Sequence, residues 1–267
     1  MKVYDCFAFN DENHILEIRL NELNSYVDYF IIIEFGQTHQ GTPKTKNIDK
    51  KILDKFANKV RYYFVEQFEN IDQPHGRDQF QRNCVLKGLF DADNDDVIII
   101  SDIDEIPDLR NFNIKTVNNN IIAFSQFHSM YKLNLLLKEK WIGTKLCKFK
   151  RLKSPQWLRS LRVKKKYSFF RIDKLLSPRY VINFKIVEKG GWHFSWLRET
   201  SSIIKKLETY AHVEFNTNYY KNKSFIDECI NEKKNFFNTG EILKIVNLRE
   251  LPEYIQSNSG KFKKWLA

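Results

Sequence analysis

No CxxC pair, no nucleotide-binding glycine loop and no apolar run of bilayer length occurs anywhere in this chain of 267 residues. The four cysteines, Cys6, Cys84, Cys147 and Cys229, stand singly, which excludes a zinc ribbon or a thioredoxin-type motif and predicts buried thiols. Gly36 and Gly41 in "GQTHQGTPK" have the spacing of a P-loop, but Thr42 and Pro43 occupy the positions where Lys and Ser/Thr would meet phosphate. No GxGxxG follows any expected strand, so a dinucleotide fingerprint is absent too. "MKVYDCFAFNDEN" reaches polar residues too early for a secretory h-region, and no segment approaches the ~20 apolar residues that span a bilayer. A cytoplasmic protein, at most peripheral to a membrane, is the expectation. Nor is there a Pro/Gly-rich linker or an internal repeat, so a single domain is expected over 1–267.

Hydrophobic residues make up 42% of the chain and aromatics 15%, enough for a well-packed globular fold. The net charge of +11 is concentrated. Residues 145–185 hold fourteen Lys or Arg against one acid, Asp173, so the rest is near neutral. Such a block suits an anionic partner such as a phosphorylated ligand, a lipid surface or nucleic acid, or else forms a solvated face. Within it, Trp157, Leu158 and Leu161 among Arg159, Arg162 and Lys164–Lys166 have the make-up of an interfacial helix.

Strands and helices alternate through the first half. "KVYDCFAF", "YFIIIEF", "VRYYFVE" and "DDVIIIS" read as strands, and the continuous apolar runs suit strands covered on both faces. "DENHILEIRLNELNSYV", with Leu16, Leu20, Leu23 and Val27 on one face, and "RDQFQRNCVLKGLF" read as helices. This order predicts an α/β fold with an open, mostly parallel Rossmann-like sheet whose ligand site lies off the carboxyl ends of the strands. The second half is less regular. "IIAFSQFHSMYKLNLL" suggests mixed-sheet strands, and "SFIDECINEKKNFF" a helix with Ser224 and Asp227 in capping-box spacing.

"VIIISDIDEIP", residues 97–107, ends the most hydrophobic strand on Asp102, Asp104 and Glu105. Carboxylates that close repel unless a positive partner lies between them. If strand geometry continues, Asp102 and Asp104 face one way and Ile103 the other, which makes a hard-oxygen site for Mg²⁺ or Mn²⁺ that in turn grips a diphosphate. Acids that cap a helix beginning at Pro107 would have the same composition. An aspartyl-nucleophile phosphatase also places DxD after an apolar strand, but usually wants a small hydroxyl residue or Val where Ile106 stands. "KGGWHFSWLRE" is the second unusual stretch. Gly190 and Gly191 free the backbone, Trp192 and Trp196 are rings suited to sugar faces, and His193 between them is a possible imidazole ligand.

Taken together, "YDCFAFNDENHILEIRLNELNSYVDYFIIIE", "THQGTPK", "RDQFQRN", "IISDIDEIP" and "GGWHFSW" resemble glycosyltransferase family 17 over most of the chain. The resemblance implies a GT-A-type fold, with a nucleotide-sugar half at about 1–130 and an acceptor-side half at about 131–267. It also implies inverting transfer from a nucleotide sugar, UDP-N-acetylglucosamine being the family's donor, to a hydroxyl of a glycan or glycoconjugate. A divalent cation, Mn²⁺ or Mg²⁺, would sit on Asp104 and His193, with Asp102 binding it directly, through water, or holding the donor ribose instead. Inversion needs a carboxylate base, for which Glu105 and Glu199 are candidates with Glu188 behind them. Glu34 and the Thr38–Lys44 loop would reach the donor, Arg77 and Arg82 its phosphates or the acceptor, and Trp192 and Trp196 the acceptor sugar. The competing class is a basic, non-enzymatic module for an anionic membrane or nucleic acid, which leaves both motifs unexplained.

Overall fold

The computed structural model describes residues 1–267 except 39, 68–70, 72, 119, 163–183 and 210–214. The chain begins β1 (Val3–Phe9), α1 (Asn13–Leu23), β2 (Tyr29–Phe35), α2 (Lys50–Lys55), β3 (Val60–Val65), α3 (Pro74–Asn83), β4 (Val97–Ile100) and β5 (Glu105–Pro107). It continues through β6 (Ile121–Met130), β7 (Leu135–Leu136), β8 (Trp141–Lys148), α4 (Pro155–Ser160), β9 (Phe184–Val187), β10 (Gly191–Ser195) and α5 (Thr200–Thr209). The last elements are α6 (Lys223–Asn231), β11 (Lys234–Asn235), β12 (Asn238–Ile242), β13 (Lys244–Ile245), α7 (Glu253–Ser257) and α8 (Ser259–Phe262).

Strands β3, β2, β1 and β4 lie in that order and all run parallel, the block expected from the first half. Antiparallel β8 follows β4, and β6 follows β8, which begins the mixed part. β9 and β10 join β6 in parallel, and β5 pairs antiparallel with β10. The winding reverses between β1 and β4, so a crevice opens at their carboxyl ends.

The uninterrupted apolar strands are explained by two cores, one on each face of the sheet. In β4, Val97 and Ile99 enter the core that holds Ile15, Leu16 and Leu20 of α1. Ile98 and Ile100 enter the opposite core, with Val85, Leu89 and Leu158. β2 divides in the same way, Phe30 and Ile32 against Ile31 and Ile33. A third cluster, under Trp196, Ile203, Ile226 and Phe236, supports the C-terminal part. All four cysteines are buried and none is in a disulfide.

Some local expectations change. The second helix ends at Asn83 and tightens into a 3₁₀ turn over Cys84–Gly88. Asn222, not Ser224, caps α6, its side chain accepting from the Phe225 N–H, while Asp227 accepts from the Thr200 hydroxyl and ties α6 to α5. Pro107 closes a strand and starts no helix.

One charged group crosses this apolar interior. Arg19, on the buried face of α1, is 0% exposed. It grips Asp5 of β1 in a fork, Nε to Oδ2 at 2.8 Å and Nη2 to Oδ1 at 2.6 Å. It also donates to the Ser101 hydroxyl (2.6 Å) and to the main-chain oxygens of Asp102, Ile103 and Glu105 (3.1, 3.1 and 2.9 Å). A guanidinium is tolerated at this depth only with its donors satisfied. Removing it strands Asp5 and three carbonyls, so Arg19→Met should lower unfolding free energy by about 3–5 kcal/mol. Urea denaturation measures this, and a loss below about 1 kcal/mol would show that the guanidinium is not the tie between β1 and the 101–105 segment.

Candidate functional site

β4 ends at Ile100, and its strand geometry does not run on. The Glu105 N–H returns to the Asp102 carbonyl at 3.1 Å and closes a four-residue turn with Ile103 and Asp104 at its centre. Ile103 points into the core, as expected, but the turn sends the two aspartates to separate partners. The Asp104 carbonyl accepts from the Phe194 N–H at 2.9 Å, which fastens the turn to β10.

Asp102 meets two guanidiniums. Arg82 of α3 reaches Oδ1 at 3.1 Å and Arg159 of α4 reaches Oδ2 at 2.8 Å. Burial alone would push this carboxyl up, but Arg159 and Arg82 outweigh it and hold the group well below the usual carboxylate range. Arg82 is itself braced by Asp78 and by the Gln156 side chain. Glu105 is 0% exposed. Its Oε1 accepts from Arg159 (2.7 Å) and from the Trp141 indole N–H, and its Oε2 from the Asp102 N–H (3.1 Å). The carboxylate has room there because residue 143 is glycine. A Cβ at Gly143 would stand 2.3 Å from the Glu105 carboxyl carbon. The crowded carboxylates of the turn are therefore compensated by arginines from two helices, with a third, Arg19, beneath the backbone.

Asp104 and His193 face each other, Oδ2 to Nε2 at 3.6 Å, with the carboxylate 17% and the imidazole 10% exposed. Gly191, at φ +125°, sets this strand close against β5, and register places His193 opposite Glu105 on one side and His128 on the other. The His193 ring stacks on His128 at 4.5 Å and under Trp141 at 4.8 Å. Burial, and then His193, lowers His128 to about 3, so it is neutral at ordinary pH. The Nδ1 of His193 is buried and has no hydrogen-bond partner among the described residues. One carboxylate and one imidazole at this separation fit a shared divalent cation, whose adjacent ligands stand roughly 3 Å apart at bond lengths of ~2.1 Å. Among the described residues no group of three His, Cys, Asp or Glu side chains gathers, so further ligands would have to be water or substrate oxygens.

The remaining expected residues lie elsewhere. Glu34 is buried and accepts from the Tyr62 hydroxyl (2.7 Å) and the Asn47 N–H (2.9 Å). Lys44 lies 3.7 Å from Glu34 and donates to the Asn10 carbonyl and side chain, which straps the loop to the end of β1. Thr38 holds that loop through Thr42 (3.2 and 2.8 Å). Arg77 donates to the Ile71 carbonyl, and its guanidinium packs against Gly41. Trp192 and Trp196 are only 3% and 5% exposed. The Trp192 indole donates to the Glu250 carbonyl, and Trp196 packs on Phe236, so both rings are committed to the interior. Glu199 is 56% exposed and paired with Lys264, and Glu188 is paired with Lys140.

The basic block is only partly a surface. Leu158 and Leu161 are buried, Arg159 turns inward, and Lys148 and Lys150 pair with Asp95. The apolar residues of 157–162 therefore pack into the fold instead of forming an interfacial face; Lys164–Lys166 lie outside the described residues. No helix among the described residues is long and apolar enough to cross a membrane. Between β8 and α4 lies a cleft of about 510 Å³, lined by Trp141, Lys145, Arg159 and Arg162 among others.

Sequence reasoning missed Arg19, Arg159, Trp141, Lys145 and Gly143. Arg19 alone left a signal, a charge on the apolar face of a helix. Lys145 is 3% exposed and donates to the carbonyls of Arg159 (2.8 Å) and Gly143 (3.5 Å). Burial, aided by Arg159, lowers it from 10.5 to about 8. Between those values the folded protein has shed a proton that the unfolded chain still binds, so stability rises with pH across that window. Compared with Lys145→Met, wild type should gain up to roughly 3 kcal/mol between pH 7.5 and 10.5, read from parallel denaturation curves. A flat difference would place Lys145 in contact with solvent.

Comparison with known proteins gives one match over nearly the whole chain: the model of glycosyltransferase family 17 fits residues 1–265. A stretch of 120 residues is 29% identical to the β-1,4-mannosyl-glycoprotein 4-β-N-acetylglucosaminyltransferases of Rattus norvegicus and Homo sapiens. That stretch is 40% of this chain and only 22% of each relative's length. Among solved structures, a putative glucose-1-phosphate thymidylyltransferase from Bacillus anthracis aligns over 71% of this chain and 88% of its own, at 11% identity and a TM-score of 0.35. HddC from Yersinia pseudotuberculosis, in complex with GMP-PN, aligns over 71% and 92%, at 12% identity and a TM-score of 0.36.

Proposed function

Because the chain belongs to glycosyltransferase family 17, we propose that it moves a sugar from a nucleotide-sugar donor to a hydroxyl of a glycan or glycoconjugate, with inversion, on a GT-A-type sheet. UDP-N-acetylglucosamine is the proposed donor, by analogy with the activity for which the matched relatives are named. The observation that carries the reading is the Asp104–His193 pair beside the turn that follows β4. Sugar transfer from a nucleotide breaks a bond to a diphosphate, which gathers negative charge as it leaves. Mn²⁺ or Mg²⁺ held by Asp104 and His193 would supply a Lewis acid for that charge.

The chain's own residues divide the remaining work. Asp102 is assigned to the arginines. With an oxygen given to each of Arg82 and Arg159, it fixes two cations at the mouth of the site. The same pairing weighs against a phosphatase, whose nucleophilic aspartate needs an unengaged oxygen. Glu105 is a positioning residue, since its enclosed carboxylate holds Arg159 and Trp141 and has no open path to an acceptor hydroxyl. Glu199 is the proposed base. It is exposed and paired with Lys264, so its carboxylate is within reach of an attacking hydroxyl's proton. Glu34 and Lys44 shape the donor loop through its strap to Asn10.

Calorimetry of UDP binding tests the cation. Wild type should bind UDP in the presence of Mn²⁺ and not without it, Asp104→Ala should abolish that metal-dependent binding, and His193→Ala should weaken it by about 10- to 100-fold. Tight UDP binding without metal would sink the cation assignment. Glu199→Gln should lower kcat by about 10²- to 10⁴-fold with UDP affinity unchanged. Full turnover by that variant would move the base elsewhere, with Glu188 the next carboxylate to replace.

A further inference from the structure

The cleft between β8 and α4 has one wall with no assigned part in donor or metal binding. That wall is the Trp141 indole, 37% exposed. Exposed tryptophans usually move, but this one is fixed twice. Its N–H is bound by the buried Glu105 carboxylate, and its ring leans on His193 and on His128, at 4.8 and 5.5 Å. A rigid, partly open ring next to the proposed metal pair is an apolar shelf of the size of one pyranose.

Two of the other walls carry cations without an ion pair among the described residues. Arg159 spends its guanidinium on Asp102 and Glu105. Lys145 does not. Its partners are two main-chain carbonyls, which take two of its three donors and carry no counter-charge. Arg162, at the rim, is exposed and has no ion pair among the described residues. A buried ammonium, an exposed guanidinium and a fixed indole thus face one cavity. Neutral sugar would use only the indole and leave both cations without a counter-charge. A sugar bearing a carboxylate or phosphate would use all three.

We propose that this cleft is the acceptor subsite and takes a pyranose carrying an anionic group, the ring against Trp141 and the anion between Lys145 and Arg162. It deepens the transfer reading and rests on it. The diphosphate of the donor offers the same anionic chemistry, so the test must separate the two sources.

Saturation-transfer NMR on the whole chain does so with three probes: methyl β-glucuronide, N-acetylglucosamine 6-phosphate and the neutral methyl β-glucoside. Each is measured with and without saturating UDP and Mn²⁺. The two charged pyranosides should bind at least about tenfold more tightly than the neutral one, the size of one charge-assisted hydrogen bond. Their signals should survive UDP and Mn²⁺. Arg162→Gln, a surface change that leaves the fold intact, should weaken the charged probes about tenfold and leave the neutral one unchanged. Trp141→Ala should weaken all three, and Trp141→Phe, which keeps a ring, should retain most binding. Equal binding of charged and neutral probes, or none, overturns the proposal. Displacement of the charged probes by UDP overturns it as well and gives the cleft to the donor diphosphate. UDP binding followed in the same samples keeps the two readings apart. Metal-dependent UDP binding without glucuronide binding removes only the cleft assignment. Glucuronide binding that persists while UDP fails to bind supports the cleft as an acidic-sugar site and removes the transfer reading.

Discussion

The contact between Arg19 and Asp5 is the constraint on which the rest of the molecule depends. It is a full positive charge with 0% exposure, placed between a helix and the central strand of a parallel sheet. Two buried charges in that position are costly unless every donor and acceptor is matched. The matching is what extends the pair's influence, because the donors left over after Asp5 reach the hydroxyl of Ser101 and three carbonyls of the turn. The path of the chain beyond β4 is thereby set from below by a residue more than eighty positions earlier. Phe7 covers the guanidinium face at 4.5 Å and keeps water from competing.

Above that turn the same principle is repeated with less burial. Asp78, Arg82, Asp102, Arg159 and Glu105 alternate in sign and draw α3 and α4 onto one short loop. Each anion in this row meets at least one cation, which is how Asp102 and Glu105 can stand close together without expelling one another. The arrangement leaves Asp104 outside the row. Its carboxylate is the one member of the acidic cluster that faces imidazole instead of guanidinium, and so the one with lone pairs still to offer.

Much of this was legible in the chain itself. The four parallel strands announce themselves because both of their faces are covered, so their apolar runs are unbroken. The acidic cluster announces itself by following such a run. Asp5 and Arg19 were also visible, as an acid inside an apolar strand and a base on an apolar helix face, but nothing in the sequence pairs them. Arg159 and Trp141 were hidden for a different reason. They lie in or beside a lysine-rich stretch, where composition suggests surface, and only the pairing of β8 with β6 and the seating of α4 bring them to the carboxylates of the turn. The tryptophans of "GGWHFSW" were misread because an aromatic residue has the same signature in a core as on a sugar shelf. Alternation could have corrected half of this, since in a strand Trp192 and Phe194 must face away from His193.

The insertion of β10 has a consequence for how the molecule comes into being. This strand lies between β6 and β5, in register with Phe127–Met130 on one side and Glu105–Pro107 on the other. Its partners are made some sixty to ninety residues before it, so the pairing closes long loops and is entropically slow to find. During synthesis the four-stranded parallel block and Arg19's anchorage can assemble early, while Asp104 waits for an imidazole that has not yet left the ribosome. A nascent chain can therefore form the crevice at the ends of β1 and β4 well before Asp104 and His193 face each other. The pair to which the cation is proposed to bind is thus among the last parts of the fold to be completed.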